Sequence, residues 1–276
     1  MLQKPTKMKT KKAEEIIPFK PCSIRLLPEN QWVEAAATAV KQNPMNRPAI
    51  HQFMRALPNE VMPLGRLAVL HTKYWGVKGV KLTVGFMETA SATLKKRILS
   101  HMNAWSKYAN VKFVLSTTSP QVRISLSTPA PNDGYWSYLG TDILQIKPSE
   151  PTMNLDSFTM STPESEYKRV VRHETGHTLG FPHEHVRAEI VNGIDREKAI
   201  AYFMRTQGWT REDVINQVLK AIPGSALNAT TEADQHSIMC YDLPADIMKS
   251  GKAVPGGIDI DALDKKFVSS IYPKKK

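Results

Sequence analysis

Three histidines and a glutamate have the types and the spacing of a metal-centred hydrolytic site. Residues 173–183 read HETGHTLGFPH. On a helix, His173 and His177 lie one turn apart on the same face, so both imidazoles can reach a single metal ion. Glu174 lies beside them, where its carboxylate can take a proton from a metal-bound water. This pattern predicts zinc-dependent hydrolysis with Glu174 as a catalytic residue.

Gly180 and His183 extend the pattern from two metal ligands to three. Gly180 can adopt the left-handed conformation that ends a helix, and the chain can then turn back to offer His183 as a third nitrogen ligand. Requiring both residues lowers the chance of an accidental match from roughly one chain in a hundred to about one in a hundred thousand. Three protein ligands leave a fourth position open, as in catalytic zinc sites. We therefore expect zinc as the cofactor, with His173, His177 and His183 as its ligands.

The segment before the motif predicts a helix that holds these ligands against a core. Ser161 or Thr162 can cap its N-terminus. Tyr167, Val170 and Val171 recur at helical spacing and supply an apolar stripe for packing.

The surrounding residues resemble the astacin family of metzincin peptidases. Residues 180–187 read GFPHEHVR, similar to the continuation of that family's active site, and residues 237–241 read SIMCY, similar to its Met-turn. Residues 136–140, the strand expected after them, and residues 259–272 also agree with the family. The resemblance covers about residues 70–273 and is strongest in 166–187 and 237–241. The whole chain looks most like compact bacterial members that lack a secretion signal. It implies an α+β metzincin fold, with a twisted mixed β-sheet and an active-site helix above a zinc cleft and a mainly helical or irregular C-terminal subdomain.

The same resemblance implies further roles around the metal. Tyr241 would be a catalytic residue, a fifth zinc ligand that swings away to stabilise the oxyanion-like intermediate, with a core tyrosine as the alternative. Met239 would form an apolar floor under the metal. Cys240 departs from the family, which has a histidine at that position. The edge that binds an extended peptide by strand addition is implied near Asp142–Ile146.

The remaining histidines are predicted to be ordinary surface or core residues. His185 lies two residues past the third ligand, and we expect its ring to point away from His183 and to be structural. The others have no partner at ligand spacing; they are His51, His71, His101 and His236.

Two hypotheses concern latency. Cys22 could place a thiolate on the zinc and block the water, since thiolates bind zinc well; the alternative is an unremarkable cysteine. Separately, the family resemblance implies that Glu184, which follows the third histidine, binds a newly cut N-terminus. Residues before about Leu64 would then be a removable pro-segment.

The chain is predicted to divide into a basic N-terminal segment and a catalytic domain. Residues 1–65 would be partly disordered with short helices, and residues 66–276 would form the catalytic domain, with its N-subdomain ending near residue 180 and its C-subdomain spanning 181–276. The predicted helices are 31–42, one ending at Leu57, 91–109, the helix of the motif, 195–206, 211–222 and 261–271. The predicted strands are 79–86, 111–115 and 122–126.

Composition excludes several other classes of protein. The net charge is +11, but eight lysines in residues 1–12 and 274–276 account for all but +3 of it. No zinc finger, RNP-type strand or helix-turn-helix signature accompanies them, so we expect no nucleic-acid partner.

No apolar run is long enough to span a membrane, and no signal peptide is recognised. Cytoplasmic synthesis is therefore expected, and signal-independent secretion is left open. Two cysteines allow at most one disulfide.

These observations together predict a zinc-dependent endopeptidase that acts on a peptide or protein, as a monomer. One alternative is a zinc hydrolase of a non-protein amide, because the zinc, water and glutamate do not themselves specify a protein substrate. A second alternative is a catalytically silent zinc-binding interaction module. The presence of Glu174 and Tyr241 beside the three histidines speaks against the silent module, which needs no proton chemistry.

Overall fold

The computed structural model describes residues 22–46, 72–76, 78–129, 133–221 and 233–275. The predicted helix ending at Leu57 and the proposed boundary at residues 65–66 lie outside these ranges. The strands are β1 (Cys22–Arg25), β2 (Val80–Phe86), β3 (Val111–Leu115), β4 (Val122–Ser125), β5 (Tyr135–Tyr138), β6 (Met153–Leu155), β7 (Asp242–Leu243) and β8 (Val254–Pro255). The helices besides the active-site helix are α1 (Trp32–Gln42), α2 (Ala92–Met102), α3 (Ala188–Val191), α4 (Arg196–Gln207), α5 (Arg211–Val214) and α6 (Ala262–Ile271).

Six strands form a mixed sheet in the order β1-β5-β6-β4-β2-β3. All neighbouring pairs are parallel except β5 and β6, which are antiparallel. In β2 the side chains of Val80, Leu82 and Val84 are buried while Lys81 is exposed, the alternation expected of a strand with one face on the core. The predicted strands at 79–86, 111–115 and 122–126 therefore exist, and a mixed sheet with helices confirms the predicted α+β class.

Helix α2 is shorter than the predicted 91–109. Ser91 caps its start, because the serine side chain accepts a hydrogen bond from the Leu94 amide at 3.1 Å. At the other end the Asn103 side chain donates to the Leu99 carbonyl and accepts from the Phe113 amide, which ties the helix terminus to β3. The chain then makes a separate 3₁₀ turn at Trp105–Lys107.

The active-site helix consists of three consecutive segments, Glu164–Glu166 in α conformation, a π-turn at Tyr167–Val171, and Arg172–Thr178 in α conformation. The predicted capping by Ser161 or Thr162 is wrong. Pro163 stands at the N-cap position without a side-chain hydrogen bond, and the Thr162 hydroxyl accepts instead from the Thr159 amide. The apolar stripe is buried as predicted, and it packs the helix against the sheet-side core.

The segment after β5 is helical, so the predicted strand following residues 136–140 is wrong. Gly140–Gln145 forms a 3₁₀ helix. The chain at residues 72–76 approaches it closely: a Cβ on Gly140, whose φ is 49°, would lie 1.9 Å from the Lys73 carbonyl oxygen. Lys73 also forms an ion pair with Asp142, with 3.0 Å between Nζ and Oδ1. Residues 72–76 therefore hold this segment in place, and it does not form a free strand edge.

A second apolar cluster is separate from the sheet-side core. Helices α4 and α5 contribute Ile200, Phe203 and Val214, the end of the predicted Met-turn contributes Tyr241, and β7 contributes Leu243. The predicted helix at 211–222 is α only as far as Val214, and a π-turn at Ile215–Leu219 follows it. Within the described ranges, the structure contains no helix with the length and apolar character needed to cross a membrane.

Candidate active site

The active-site helix places two of the three predicted ligands side by side. The rings of His173 and His177 are 4.7 Å apart and both side chains are buried. The helix ends where predicted, because Gly180 has a φ of 95°. The Phe181 amide donates a hydrogen bond to the Gly176 carbonyl, and the Gly180 amide donates to the His177 carbonyl. This pair of hydrogen bonds is the Schellman motif.

The turn after Gly180 brings the third predicted ligand back to the helix. The ring of His183 lies 4.5 Å from that of His177, and their Nε2 atoms are 3.0 Å apart. The Glu184 amide donates to the Met239 carbonyl at 2.8 Å, which fixes this turn against the predicted Met-turn. The three histidines that sequence spacing singled out therefore meet at one point.

Backbone carbonyls orient two of these rings. Nδ1 of His173 lies 2.5 Å from the Ile238 carbonyl oxygen, and Nδ1 of His177 lies 2.7 Å from that of Phe181. Each Nδ1 therefore carries the proton, and each Nε2 is left with a lone pair for a metal. Burial lowers the pKa of all three histidines, to about 4 for His173, so the neutral form that binds metal is favoured.

Cys22, which lies about 150 residues before the histidines in the sequence, is the fourth member of the candidate metal-ligand group. Its Sγ atom lies 3.6 Å from Nε2 of His183, and the four candidate ligand atoms all lie within 4.8 Å of one another. β1 carries Cys22 to this place by pairing in parallel with β5, with Cys22 opposite Tyr135. Both cysteines are free thiols, so no disulfide competes for Cys22.

This donor set fits zinc. Imidazole nitrogens and a cysteine sulfur are donors that zinc binds well, and all four candidate atoms are buried and lie within 4.8 Å of one another. Burial and the charge of Glu174 raise the pKa of Cys22 well above its usual value, so a thiolate here requires a cation beside it. His173, His177, His183 and Cys22 would hold the ion.

Glu174 is fully buried beside the three histidines, and Ser137 holds its carboxylate. The Ser137 hydroxyl lies 2.9 Å from Oε2 of Glu174 and 3.1 Å from the Glu174 carbonyl oxygen. Burial raises the pKa of Glu174 to about 8, while hydrogen bonds from Cys22 and Ser137 oppose that rise. Ser137 was not singled out in the sequence, because nothing distinguishes one serine in a strand until the pairing of strand and helix is known.

Tyr241 lies at the same site, where the family resemblance implied it. Its ring is buried, 4.5 Å from that of His183. His185 stacks on this tyrosine, with ring centroids 3.9 Å apart. His185 is outside the metal-ligand group, as predicted, but it does not point away: its ring lies 4.9 Å from that of His183.

The predicted Met-turn lies under the active-site helix. A Cβ added at Gly176 would lie 2.4 Å from the Met239 sulfur, so the methionine packs directly against the helix beneath the ligands. Asp264 anchors the turn by accepting hydrogen bonds from the Ser237 hydroxyl at 2.7 Å and the Ile238 amide at 2.9 Å. Met239 is thus an apolar neighbour of the site, as the resemblance implied.

Glu184 already has partners in this structure. Its Oε1 accepts from Nη1 of Arg187 and from the Asp234 amide, both at 3.1 Å. It also lines a cavity of about 50 Å³ with Phe181 and Asp234. Binding of a newly cut N-terminus at Glu184 stays a prediction.

The other histidines behave as the sequence indicated where the structure describes them. His101 is buried, lies 3.4 Å from Glu164 and packs on Tyr167, and His236 is exposed. His51 and His71 lie outside the described residues. The implied peptide-binding edge at Asp142–Ile146 is wrong, because most of that segment is 3₁₀ helix; the strand edge beside the metal ligands is that of β5, and β1 occupies it.

A zinc site built on a helix of this kind, next to a mixed sheet and above a methionine turn, defines a metzincin-type zinc metallopeptidase. The sequence model of the peptidase family described as Astacin matches residues 69–252, more than half of the chain. The chain belongs to the astacin family of zinc metallopeptidases.

Individual relatives agree with this assignment. A solved structure of myroilysin is similar with a TM-score of 0.68 and 30% identity, covering 74% of this chain and 97% of that one. A second structure, a crystal structure of myroilysin, has a TM-score of 0.55 and 31% identity, covering 73% and 86%. Zinc metalloproteinase nas-27 of Caenorhabditis elegans is 28% identical over 125 residues, which are 45% of this chain and only 26% of that protein.

Proposed function

We propose that the chain is a zinc-dependent endopeptidase in which Glu174 is the general base and His173, His177 and His183 hold the metal. The observation that carries this proposal is the buried Glu174 carboxylate, fixed by Ser137 beside three converging imidazoles. A zinc ion held by these residues would polarise a peptide carbonyl and lower the pKa of a coordinated water towards neutrality.

Glu174 and Tyr241 would carry the proton and charge chemistry. Glu174 takes a proton from the attacking water and passes it to the leaving amine, so its carboxyl group alternates between two protonation states. The Tyr241 hydroxyl stabilises the negative charge that develops on the carbonyl oxygen.

The groove beside the metal supports a peptide substrate over another amide. β5 presents its edge next to Glu174, because Ser137 belongs to that strand, and β1 shows that an extended backbone fits there. A cavity of about 90 Å³ adjoins it and is lined by His173, Glu174, Tyr241 and Arg169 among others, which suits one substrate side chain.

The same groove supports latency in the present form of the chain. β1 fills the strand edge that a substrate needs, and the Cys22 sulfur and the three candidate histidine nitrogens lie within 4.8 Å of one another. A thiolate bound to the zinc would exclude the water. The hypothesis that Cys22 is a latch is therefore part of this proposal: activity requires Cys22 to leave the metal, so that substrate can displace β1.

Cleavage of unfolded casein tests the endopeptidase proposal. Zinc-loaded wild type, Cys22→Ala and the double variant Cys22→Ala with Glu174→Ala are incubated with casein, and the fragments are mapped by mass spectrometry. We expect internal cleavage by Cys22→Ala, none by the double variant, and equal zinc content in all three proteins. Cleavage retained in the double variant would exclude this carboxylate as the base, and release of terminal residues alone would exclude an endopeptidase.

A further inference from the structure

The carboxamide of Gln217 binds the backbone of β1 on the edge opposite to β5. The Ile24 amide donates to Oε1 of Gln217 at 3.3 Å, and Nε2 of Gln217 donates to the Ile24 carbonyl oxygen at 3.1 Å. Both backbone groups of one residue are thus satisfied by one side chain, in the way that a neighbouring strand would satisfy them. β1 is held from two sides, by β5 and by Gln217.

This contact lies close to the reacting centre. Ile24 is two residues from Cys22, whose sulfur belongs to the metal-ligand group, and it stands opposite Ser137, which holds Glu174. Any peptide that lies along the β5 edge beside the zinc passes the same carboxamide.

A π-turn and a hydrogen bond from His185 hold the backbone around Gln217 in place. Gln217 lies in the π-turn Ile215–Leu219, a conformation that is rare and concentrated at functional sites. His185 donates from Nε2 to the Gln217 carbonyl oxygen at 2.9 Å, and the same ring stacks on Tyr241. Val218 and Leu219 are buried in the second apolar cluster, with Ile200 and Phe203 of α4. The buried His185 therefore connects the Gln217 backbone to the catalytic tyrosine.

A side-chain carboxamide can hydrogen-bond to a peptide backbone that runs in either direction. The N–H and C=O of one extended residue point to the same edge of its strand, and reversing the chain exchanges the two groups. Rotation of the Gln217 side-chain amide exchanges its donor and acceptor to match. The contact seen with β1 is therefore available to a bound peptide whichever way it runs.

We propose that Gln217 is a substrate-binding residue that clamps the peptide backbone against β5, and that in the latent form the same clamp retains the N-terminal strand. The substrate half of this proposal rests on the proposed function, whereas the retention of β1 does not. The two halves predict effects of opposite sign for one substitution, because losing the clamp frees β1 and weakens the hold on substrate.

The retention of β1 is tested by alkylation of Cys22 with iodoacetamide in the zinc-loaded full chain, with the labelled cysteine identified by mass spectrometry. Gln217→Met keeps the length of the side chain and removes both hydrogen bonds. Asn216→Leu makes the matching change at the exposed neighbour in the same π-turn. We expect Cys22 to be alkylated about tenfold faster in Gln217→Met and at the wild-type rate in Asn216→Leu. An unchanged rate in Gln217→Met would overturn the clamp.

The hold on substrate is tested with peptides shortened one residue at a time from each end, using Cys22→Ala with Ile24→Pro as the background, because a proline at position 24 has no amide to donate to Gln217 and β1 is then released in both proteins compared. We expect Gln217→Met to lower kcat/KM about tenfold for peptides long enough to lie opposite Ser137, and to leave kcat/KM of shorter peptides unchanged. An equal loss for long and short peptides would indicate a merely structural residue. The alkylation assay needs no turnover, so failure of the endopeptidase proposal and failure of the clamp are told apart.

Discussion

The sulfur of Cys22 lies 3.6 Å from Nε2 of His183, although the two residues are 161 positions apart in the chain. The N-terminal strand β1 thus delivers a thiol into a site otherwise built by the active-site helix and the turn after it. This contact joins the metal-ligand group to the strand edge of β5.

Replacing Cys22 should change the metal site directly. In the cobalt-substituted protein, a thiolate ligand gives a sulfur-to-metal charge-transfer absorption, which we expect in wild type and not in Cys22→Ser. Ser23→Ala, a change in the same strand, should retain it. Absence of the absorption in wild type would show that the thiol does not bind the metal, and the latch would be wrong.

Ser137→Ala should lower kcat about tenfold while the zinc content stays constant, because the Glu174 carboxylate loses the hydroxyl that orients it. Ser125→Ala is the matched control. It removes a hydrogen bond from another buried serine of the sheet to a glutamate, Glu88, that lies outside the site. Equal loss of activity in both variants would mean that Ser137 acts on stability and not on Glu174.

Gly257→Ala should disturb the Met-turn. A Cβ at Gly257 would lie 2.1 Å from the Ser237 carbonyl oxygen and 2.4 Å from the Ile238 Cα, backbone atoms that cannot move aside. We expect the free energy of unfolding to fall by about 2–3 kcal/mol in urea denaturation. Zinc affinity should fall as well, because the Ile238 carbonyl orients His173.

Gly76→Ala is the control for that experiment, since the nearest atom to its Cβ, the Gln42 carbonyl oxygen, lies 3.8 Å away. Its free energy of unfolding should stay within about 1 kcal/mol of wild type. If Gly257→Ala proves equally neutral, the close packing of this segment against the Met-turn is not required.

Asp264 should make the stability of the Met-turn depend on pH. Burial raises the pKa of Asp264 from 3.8 to about 6, so the folded state binds this proton more tightly than the unfolded state. The resulting stabilisation is complete below about pH 4 and is lost as the pH rises through about 6. Relative to Asp264→Asn, the free energy of unfolding of wild type should therefore decrease by on the order of 3 kcal/mol between pH 4 and pH 7. Denaturation of both proteins across this range measures it; a constant difference would contradict the assignment.

Local patterns predicted much of the site. The spacing of His173, His177 and His183 follows from helix geometry and one left-handed glycine, and the structure places all three rings together. β2 alternates between buried and exposed residues, so its position could also be predicted. The roles of Tyr241 and Met239 could be predicted only from the family resemblance, because the spacing of these two residues does not by itself indicate a metal site.

Long-range pairing could not be predicted from the chain. The parallel alignment of β1 with β5 places Cys22 and Ile24, yet a four-residue strand carries too little pattern to specify a partner that follows more than a hundred residues later. The 3₁₀ helix at Gly140–Gln145 depends on its tertiary contact with Lys73, and Gln217 depends on a π-turn inside an otherwise helical pattern. In each case tertiary contacts decided the structure over local propensity.

We propose that Glu174 performs the proton transfer at a zinc site that Cys22 blocks. The most direct measurement is the initial rate of casein cleavage by zinc-loaded wild type, Cys22→Ala, and the double variant Cys22→Ala with Glu174→Ala, with zinc content determined for each. We expect Cys22→Ala to be at least about tenfold faster than wild type, and the double variant to be about a thousandfold slower than Cys22→Ala at equal zinc content. A double variant as active as Cys22→Ala would contradict the claim.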